Sequence, residues 1–129
     1  MKTSTTESPL AELSSQRNLC YATTEKHSFA LAVTADDSHE YFFGTAQFLD
    51  AELTANASVE QNESAPPERL LIRYATGEIV VLGRSLRRVV QLLQRGELEG
   101  LKPIGERYGG LRQGSPMISS ISVTRKEGL

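Results

Sequence analysis

The sequence has little of several residue types, and each shortage excludes a class of protein. Cys20 is the only cysteine, which excludes an internal disulfide and a metal site made of cysteines alone. Tryptophan is absent, so a core must consist mainly of Leu, Ile and Val with a few Phe and Tyr. No apolar run approaches the roughly 20 residues that cross a membrane, and the N-terminus lacks the apolar segment of a secretory signal. We therefore expect a cytoplasmic protein with no membrane partner.

The clearest pattern in the chain is a predicted β-hairpin over residues 70–82. Residues 70–74 and 79–82 are apolar runs rich in Ile and Val, and Gly77 lies between them in a predicted turn. A two-residue loop of Thr76 and Gly77 would place Tyr74 opposite Ile79. Both faces of this hairpin are then largely apolar, which predicts that it lies in the centre of a sheet.

An amphipathic helix is predicted to follow the hairpin. Ser85 is its expected N-cap and Gly96 its expected C-terminal residue in the left-handed conformation. The apolar stripe consists of Leu86, Val89, Val90 and Leu93, and the opposite side of Arg84, Arg87, Arg88, Gln91 and Arg95. Leu98 and Leu101 predict a second turn or short helix that ends before Pro103.

Alternating apolar residues predict three further strands. Residues 28–34 alternate Phe29, Leu31 and Val33 with smaller residues, and residues 40–49 form the second strand of that hairpin, with Gly44 marking a bulge. This hairpin contains all four Phe residues, so we expect it to form the densest part of the core. Residues 117–124 predict a closing strand.

Together these elements predict an α+β fold. We expect an antiparallel sheet of about five strands, made of two hairpins and a C-terminal strand and packed with one main amphipathic helix. A small, partly closed β-barrel with a helix is the alternative. Residues 1–27 are expected to be a mobile segment, in which Ser8 and Pro9 could start a short helix. Residues 28–129 are expected to form a single domain, with a flexible connector at 50–68 around Pro66 and Pro67.

The charges are divided unequally along the chain. Residues 1–68 have three basic and eleven acidic residues, a formal charge of −8, whereas residues 69–129 have eleven basic and five acidic residues, a formal charge of +6. Such a division favours either self-association or the binding of a polyanion. The simpler interpretation is that the two halves neutralise each other across one folded surface. The candidate contacts for nucleic acid or phosphate are the helix arginines and two in a Gly-rich loop: Arg84, Arg87, Arg88, Arg95, Arg107 and Arg112. A solvated helix face is the simpler interpretation of the same residues.

No catalytic or metal motif stands out. Asp36, Asp37, His39 and Glu40 are close in sequence, but they lie at a predicted turn, where Asp is common for its turn chemistry. The Gly-rich loop lacks the Lys-Ser/Thr ending of a P-loop. We therefore expect no metal, cofactor or small-molecule ligand, and a non-enzymatic role is favoured. The leading hypothesis is a non-catalytic, self-associating interaction module, a homo-oligomer of unknown partner. The alternative is a nucleic-acid or phosphate binder.

Overall fold

The structure, a computed structural model, describes residues 20–57, 65–104 and 115–126. The described residues form eight strands and one α-helix. In chain order these elements are β1 (Tyr21–Thr23), β2 (Ala30–Thr34), β3 (Glu40–Gly44), β4 (Phe48–Ala55), β5 (Glu68–Tyr74), β6 (Gly77–Arg84), α1 (Arg87–Arg95), β7 (Leu98–Leu101) and β8 (Met117–Arg125). A 3₁₀ turn, Thr45–Gln47, separates β3 from β4.

The strands form two four-stranded sheets. Sheet A has the order β1-β7-β2-β3, and sheet B has the order β4-β5-β6-β8. Sheet B is antiparallel throughout, whereas β7 runs parallel to β2 and antiparallel to β1. The α+β class is confirmed, but the single sheet of about five strands is wrong, and the sheets do not close into a barrel.

Three additional strands account for this difference. β4 occupies the first part of the predicted connector at 50–68, and β1 lies inside the predicted mobile segment at 1–27. The segment with Leu98 and Leu101, expected to be a turn or short helix, is β7. These strands are short or weakly patterned, and they form because neighbouring strands offer backbone hydrogen bonds that a linear pattern does not reveal. The predicted short helix at Ser8 and Pro9 lies outside the described residues.

The predicted central hairpin is confirmed, with a corrected register. Ala75 and Thr76 form the turn, so Tyr74 pairs with Gly77 instead of Ile79. The register differs from the predicted one by two residues, and a shift of two leaves every side chain on the same face. β5 and β6 are therefore the two inner strands of sheet B, and one face of the hairpin is fully buried.

The core lies between the two sheets. Leu31, Val33 and Phe43 of sheet A oppose the buried face of sheet B, and the Phe43 ring stacks on Tyr74 with ring centroids 4.9 Å apart. α1 contributes Val89 and Leu92 and its N-cap residue is Leu86, and all three are buried. The helix buries the predicted apolar side. Leu92 lies on this side as well, whereas Val90 and Leu93 are only half-buried.

The sequence predicts the C-terminal end of α1 correctly but not its N-terminal end. Gly96 ends the helix with φ 72°, as predicted, and its N–H donates to Leu92 and Leu93. Ser85 is not the N-cap, because the helix begins one residue later and no side chain of its own sequence caps it. Instead, Oε1 of Glu68, at the start of β5, accepts a hydrogen bond from the Leu86 N–H at 2.8 Å.

The chain passes from sheet A to sheet B between Gly44 and Phe48. The predicted strand over 40–49 is therefore two strands in different sheets, joined by the 3₁₀ turn. The β2–β3 hairpin itself is antiparallel as expected. Of its Phe residues only Phe43 is in the core, so the expectation that all four Phe residues form the densest part of the core is wrong.

Candidate interaction surface

Exposed apolar side chains gather where the chain changes sheets. Phe29 is 89% exposed, Leu49 58%, Phe42 57% and Phe48 38%. We call these four residues the apolar corner. They are linked through the backbone: the Thr45 N–H donates to the Phe29 carbonyl at 2.9 Å, and Ala30 pairs with Gly44.

Three residues of the apolar corner, Phe29, Phe42 and Leu49, are exposed for local reasons. Phe29 precedes β2, so the inward alternation that buries Leu31 and Val33 does not extend to it. Phe42 is on the outer face of sheet A, opposite Ala32. Leu49 lies at an irregularity in the β4–β5 ladder, between Phe48 and Asp50. Such irregularities redirect side chains that regular alternation would place elsewhere.

A shallow apolar cleft borders the apolar corner. Its volume is about 60 Å³, and its lining includes Leu31, Phe48, Tyr74, Leu93 and Leu98. The Phe48 ring meets Tyr74 edge to face, with centroids 5.7 Å apart. The space is smaller than the 300–1,000 Å³ typical of small-molecule sites, so the cleft extends the apolar surface instead of forming a separate pocket.

The outer face of sheet B combines charged and apolar side chains. Arg73 donates to Oδ1 of Asp50 at 2.7 Å across the β4–β5 ladder. This hydrogen bond, with the charge of Asp50, raises the pKa of Arg73. Arg69 pairs with Thr54 on β4 and is half-buried, and no carboxylate of the described residues lies within 4.0 Å of it.

The predicted anion-binding residues are found in two groups. Arg84, Arg87, Arg88 and Arg95 are all exposed on or beside α1, and no ion pair in the described part of the chain involves them. The first turn of the helix contains no acidic residue, although the helix dipole favours negative charge there. Arg107 and Arg112 lie outside the described residues.

The acidic residues of the β2–β3 turn, Asp36 and Asp37, accept hydrogen bonds from backbone N–H groups. Asp36 accepts from the Ile121 N–H at 2.9 Å and from the Ser120 hydroxyl at 2.7 Å, which ties the β2–β3 turn to β8. Asp37 accepts from the His39 N–H at 2.9 Å. Across residues 20–57, 65–104 and 115–126, no group of three His, Cys, Asp or Glu side chains is arranged to hold a metal ion.

Cys20 is buried, and its surroundings do not favour nucleophilic chemistry. Burial raises the pKa of its thiol to about 11, and the Sγ donates to the Pro116 carbonyl at 3.5 Å. A thiol with so high a pKa is a poor nucleophile at neutral pH.

Protein-family models, curated proteins and solved structures give no match to this chain. Among the described helices, none is long and apolar enough to span a membrane.

Sequence reasoning missed the apolar corner because it assigned every Phe to the core. A signal was present in Gly44, which interrupts the strand just where the sheets change. It also missed β4, whose alternation of Ala51 and Leu53 with Asp50 and Glu52 is a half-buried strand pattern.

Proposed function

We propose that this protein is a non-catalytic interaction module that associates with further copies of itself. The observation that carries the proposal is the apolar corner, where four large apolar side chains are exposed within 21 residues of chain. Soluble proteins seldom leave contiguous apolar surface open to water unless it serves an interaction, and the backbone contacts of Phe29 with Thr45 and of Ala30 with Gly44 bring together the segments that carry these side chains.

The energetics favour association of moderate strength. Full burial of one Phe or Leu side chain contributes about 1.5–3 kcal/mol, and two copies would bury part of eight such side chains. Association itself costs roughly 4–15 kcal/mol in lost freedom of motion. With all eight side chains fully buried, the middle of the two ranges leaves a surplus of about 8 kcal/mol, which corresponds to a dissociation constant of about 1 µM; partial burial gives weaker association.

Charge supports the same proposal. The exposed arginines of α1 have no acidic partner among the described residues, whereas Glu40 and Glu52 are exposed on strands at sheet edges. Opposite charges on separate parts of one surface can be matched between copies.

Sedimentation velocity over about 1–200 µM tests the proposal, because this range spans the expected dissociation constant. We expect the sedimentation coefficient to rise with concentration. The double variant Phe29→Ser/Phe42→Ser should shift the midpoint at least about tenfold toward higher concentration, since each lost apolar contact weakens association by about 1 kcal/mol or more. The control, Phe29→Leu/Phe42→Leu, retains an apolar surface and should associate nearly as the wild type does. A monomer at every concentration would contradict the proposal.

The second candidate function is the binding of nucleic acid or another polyanion. The observation that favours it is the set of four exposed arginines. Three of them, Arg84, Arg87 and Arg88, lie at or just before the N-terminal end of α1, where the helix dipole disfavours positive charge. An anion bound along this face would relieve the repulsion between them.

Binding to mixed RNA and DNA oligomers at low salt separates the two candidates. An anion binder should lose affinity steeply as salt rises, and Arg87→Glu/Arg88→Glu should weaken binding at least about tenfold. The matched control is Lys26→Glu/Lys126→Glu, which makes the same change in charge at two exposed positions outside the helix. Equal effects of both double variants would indicate only nonspecific attraction and would reject a helix site.

A further inference from the structure

We infer that β4 is the strand through which two copies pair, antiparallel and about a twofold axis at Leu53. This inference rests on the self-association proposed above and assigns a strand edge to it; Phe48 and Leu49, at the start of β4, are the residues of the apolar corner on that strand. It would join the two copies of sheet B into one sheet of eight strands.

The alternation of backbone hydrogen bonds across sheet B shows which residues of β4 direct their N–H and C=O groups toward its open edge. Ile121 of β8 directs its N–H and its carbonyl away from β6, because Asp36 donates to that carbonyl at 3.0 Å and accepts from that N–H at 2.9 Å. Val81, the partner of Ile121 on β6, therefore bonds to β5 instead. Alternation across the ladder then makes Glu52 bond to Leu71 of β5. Its neighbours Ala51 and Leu53 direct their backbone groups outward.

Nothing in the described part of the chain occupies this edge. The backbone hydrogen bonds outside the regular ladders do not involve residues 49–55. By contrast, the edge strand β8 is covered, since Ile104 donates to Ile118 and Asp36 bonds to Ile121. An open edge next to exposed apolar residues is a surface on which another strand can pair.

The side chains of β4 select one register for such pairing. Outward backbone groups recur at Ala51, Leu53 and Ala55, so a twofold axis must pass through one of these residues or midway between two of them. An axis at Glu52 places Glu52 opposite itself, and an axis at Ala51 places Asp50 opposite Glu52. Like charges directly opposite are destabilising. An axis at Leu53 instead places Glu52 opposite Thr54 and pairs Ala51 with Ala55. An axis nearer to Ala55 leaves fewer residues paired.

Charge complementarity favours the same register. Thr54 lies between Glu52 of the second copy and Arg69, its partner on β5. Neighbouring strands are about 4.8 Å apart, so the long Glu52 and Arg69 side chains can meet above the short Thr54. Arg69 has no ion pair within the described residues. In the dimer, the Arg69 of each copy would meet the Glu52 carboxylate of the other copy, so the contact would occur twice.

Disulfide trapping tests this register directly. In it, Glu52 and Thr54 of the two copies form a pair without backbone hydrogen bonds, with Cα atoms about 4.5 Å apart. That separation suits a disulfide, whereas two copies of either residue alone would be diagonal neighbours, about 7–8 Å apart. Both positions are exposed, so Glu52→Cys and Thr54→Cys should leave the fold unchanged.

The experiment mixes Glu52→Cys and Thr54→Cys chains that carry tags of different mass, oxidises them, and measures the disulfide products by mass. We expect the mixed disulfide to exceed either single-variant disulfide by at least about tenfold, since only the mixed pair meets the required geometry. A dominant disulfide from Glu52→Cys alone would overturn the Leu53 axis. Absence of all three products while the wild-type protein sediments as a dimer would reject pairing through β4 and leave self-association intact. A wild-type protein that stays monomeric would reject both.

A charge exchange gives an independent test. Arg69→Glu and Glu52→Arg should each weaken dimerisation about fivefold or more, because each places like charges together across the interface. The double variant Glu52→Arg/Arg69→Glu should restore the wild-type affinity to within about twofold, since the pair is re-formed with its signs exchanged. Glu99→Arg on β7 makes a similar change on the other sheet and should have no effect. A double variant no stronger than the single variants would reject the proposed contact.

Discussion

At the scale of single residues, Tyr74 shows how one side chain joins the two sheets. Its ring stacks on Phe43 of sheet A and meets Phe48 at the start of β4, and the residue is fully buried. Burial raises the pKa of Tyr74 to about 12 from 10.0, as it raises that of Cys20 to about 11 from 9.0. Both groups are therefore held in their neutral forms by the folded state.

These two shifts predict how stability depends on alkaline pH. A group whose pKa is raised by folding stabilises the protein fully below its unfolded pKa, and this contribution is lost as pH rises toward the folded pKa. The free energy of unfolding should therefore fall by about 2 kcal/mol between pH 9 and 11 through Cys20, and further between pH 10 and 12 through Tyr74.

Urea unfolding at a series of pH values measures this loss. In Cys20→Ala the decrease that starts near pH 9 should be smaller than in the wild type, and Tyr74→Phe should reduce only the later decrease. Parallel curves for all three proteins would show that neither group is responsible.

At the scale of elements, α1 depends on a residue from a distant strand. Its own sequence supplies no cap, and Ser85 adopts φ 56°, an uncommon conformation for a residue with a side chain. Glu68 fills the role by accepting from the Leu86 N–H. The helix start and the start of β5 are thereby joined.

Removal of this cap should lower stability. Glu68→Ala leaves the Leu86 N–H without its acceptor and should reduce the free energy of unfolding by about 1–2 kcal/mol. Glu68→Gln retains an acceptor oxygen and should cost less. Ser85→Ala is the control and should change stability by less than about 0.5 kcal/mol, because its hydroxyl does not cap the helix. Denaturant unfolding of the three variants measures the differences; a larger loss in Ser85→Ala would contradict the assignment.

The β6–β8 ladder provides a second prediction at this scale. The ladder is irregular between Leu82 and Gly83, and a Cβ added at Gly83 would overlap the backbone carbonyl of Met117. Backbone cannot move aside cheaply, so Gly83→Ala should destabilise the fold by about 2–3 kcal/mol. Gly44→Ala is the matched control: its φ of −67° suits any residue, and nothing lies within 4 Å of the added Cβ. Thermal unfolding compares the two, and equal losses would contradict the predicted clash.

At the scale of the whole molecule, the open edges and the charge distribution determine what the fold can do. The two sheets bury one face each against the core, while the apolar corner, the β4 edge and the arginine face of α1 remain outside. If copies pair through these surfaces, thermal stability must depend on concentration, because binding of the folded state alone shifts the unfolding equilibrium.

We therefore expect the midpoint of thermal unfolding to rise with protein concentration across the range where the dimer forms. Above the dissociation constant, each tenfold increase in concentration should add about 1.4 kcal/mol to the stability of the dimer. Calorimetry at several concentrations measures this rise, and Phe29→Ser/Phe42→Ser should reduce it. A midpoint independent of concentration in the wild type would contradict self-association.

The sequence by itself determined the features that depend on local spacing. The 3.6-residue period of α1 placed Leu86 and Val89 inside and the arginines outside, and the two-residue period of β5 and β6 assigned each side chain to the correct face even where the register was shifted. Gly96 ended the helix because few other residues adopt its positive φ readily.

Only the tertiary structure decided which strands pair and what remains exposed. β7 lies parallel to β2 although more than 60 residues separate them, and the Thr45–Gln47 turn sends β4 into a different sheet from β3. Both depend on contacts between segments distant in sequence, which no local period encodes. The same is true of the apolar corner and of the open edge of β4, because a residue's exposure and a strand's free hydrogen bonds depend on which neighbours the completed fold supplies.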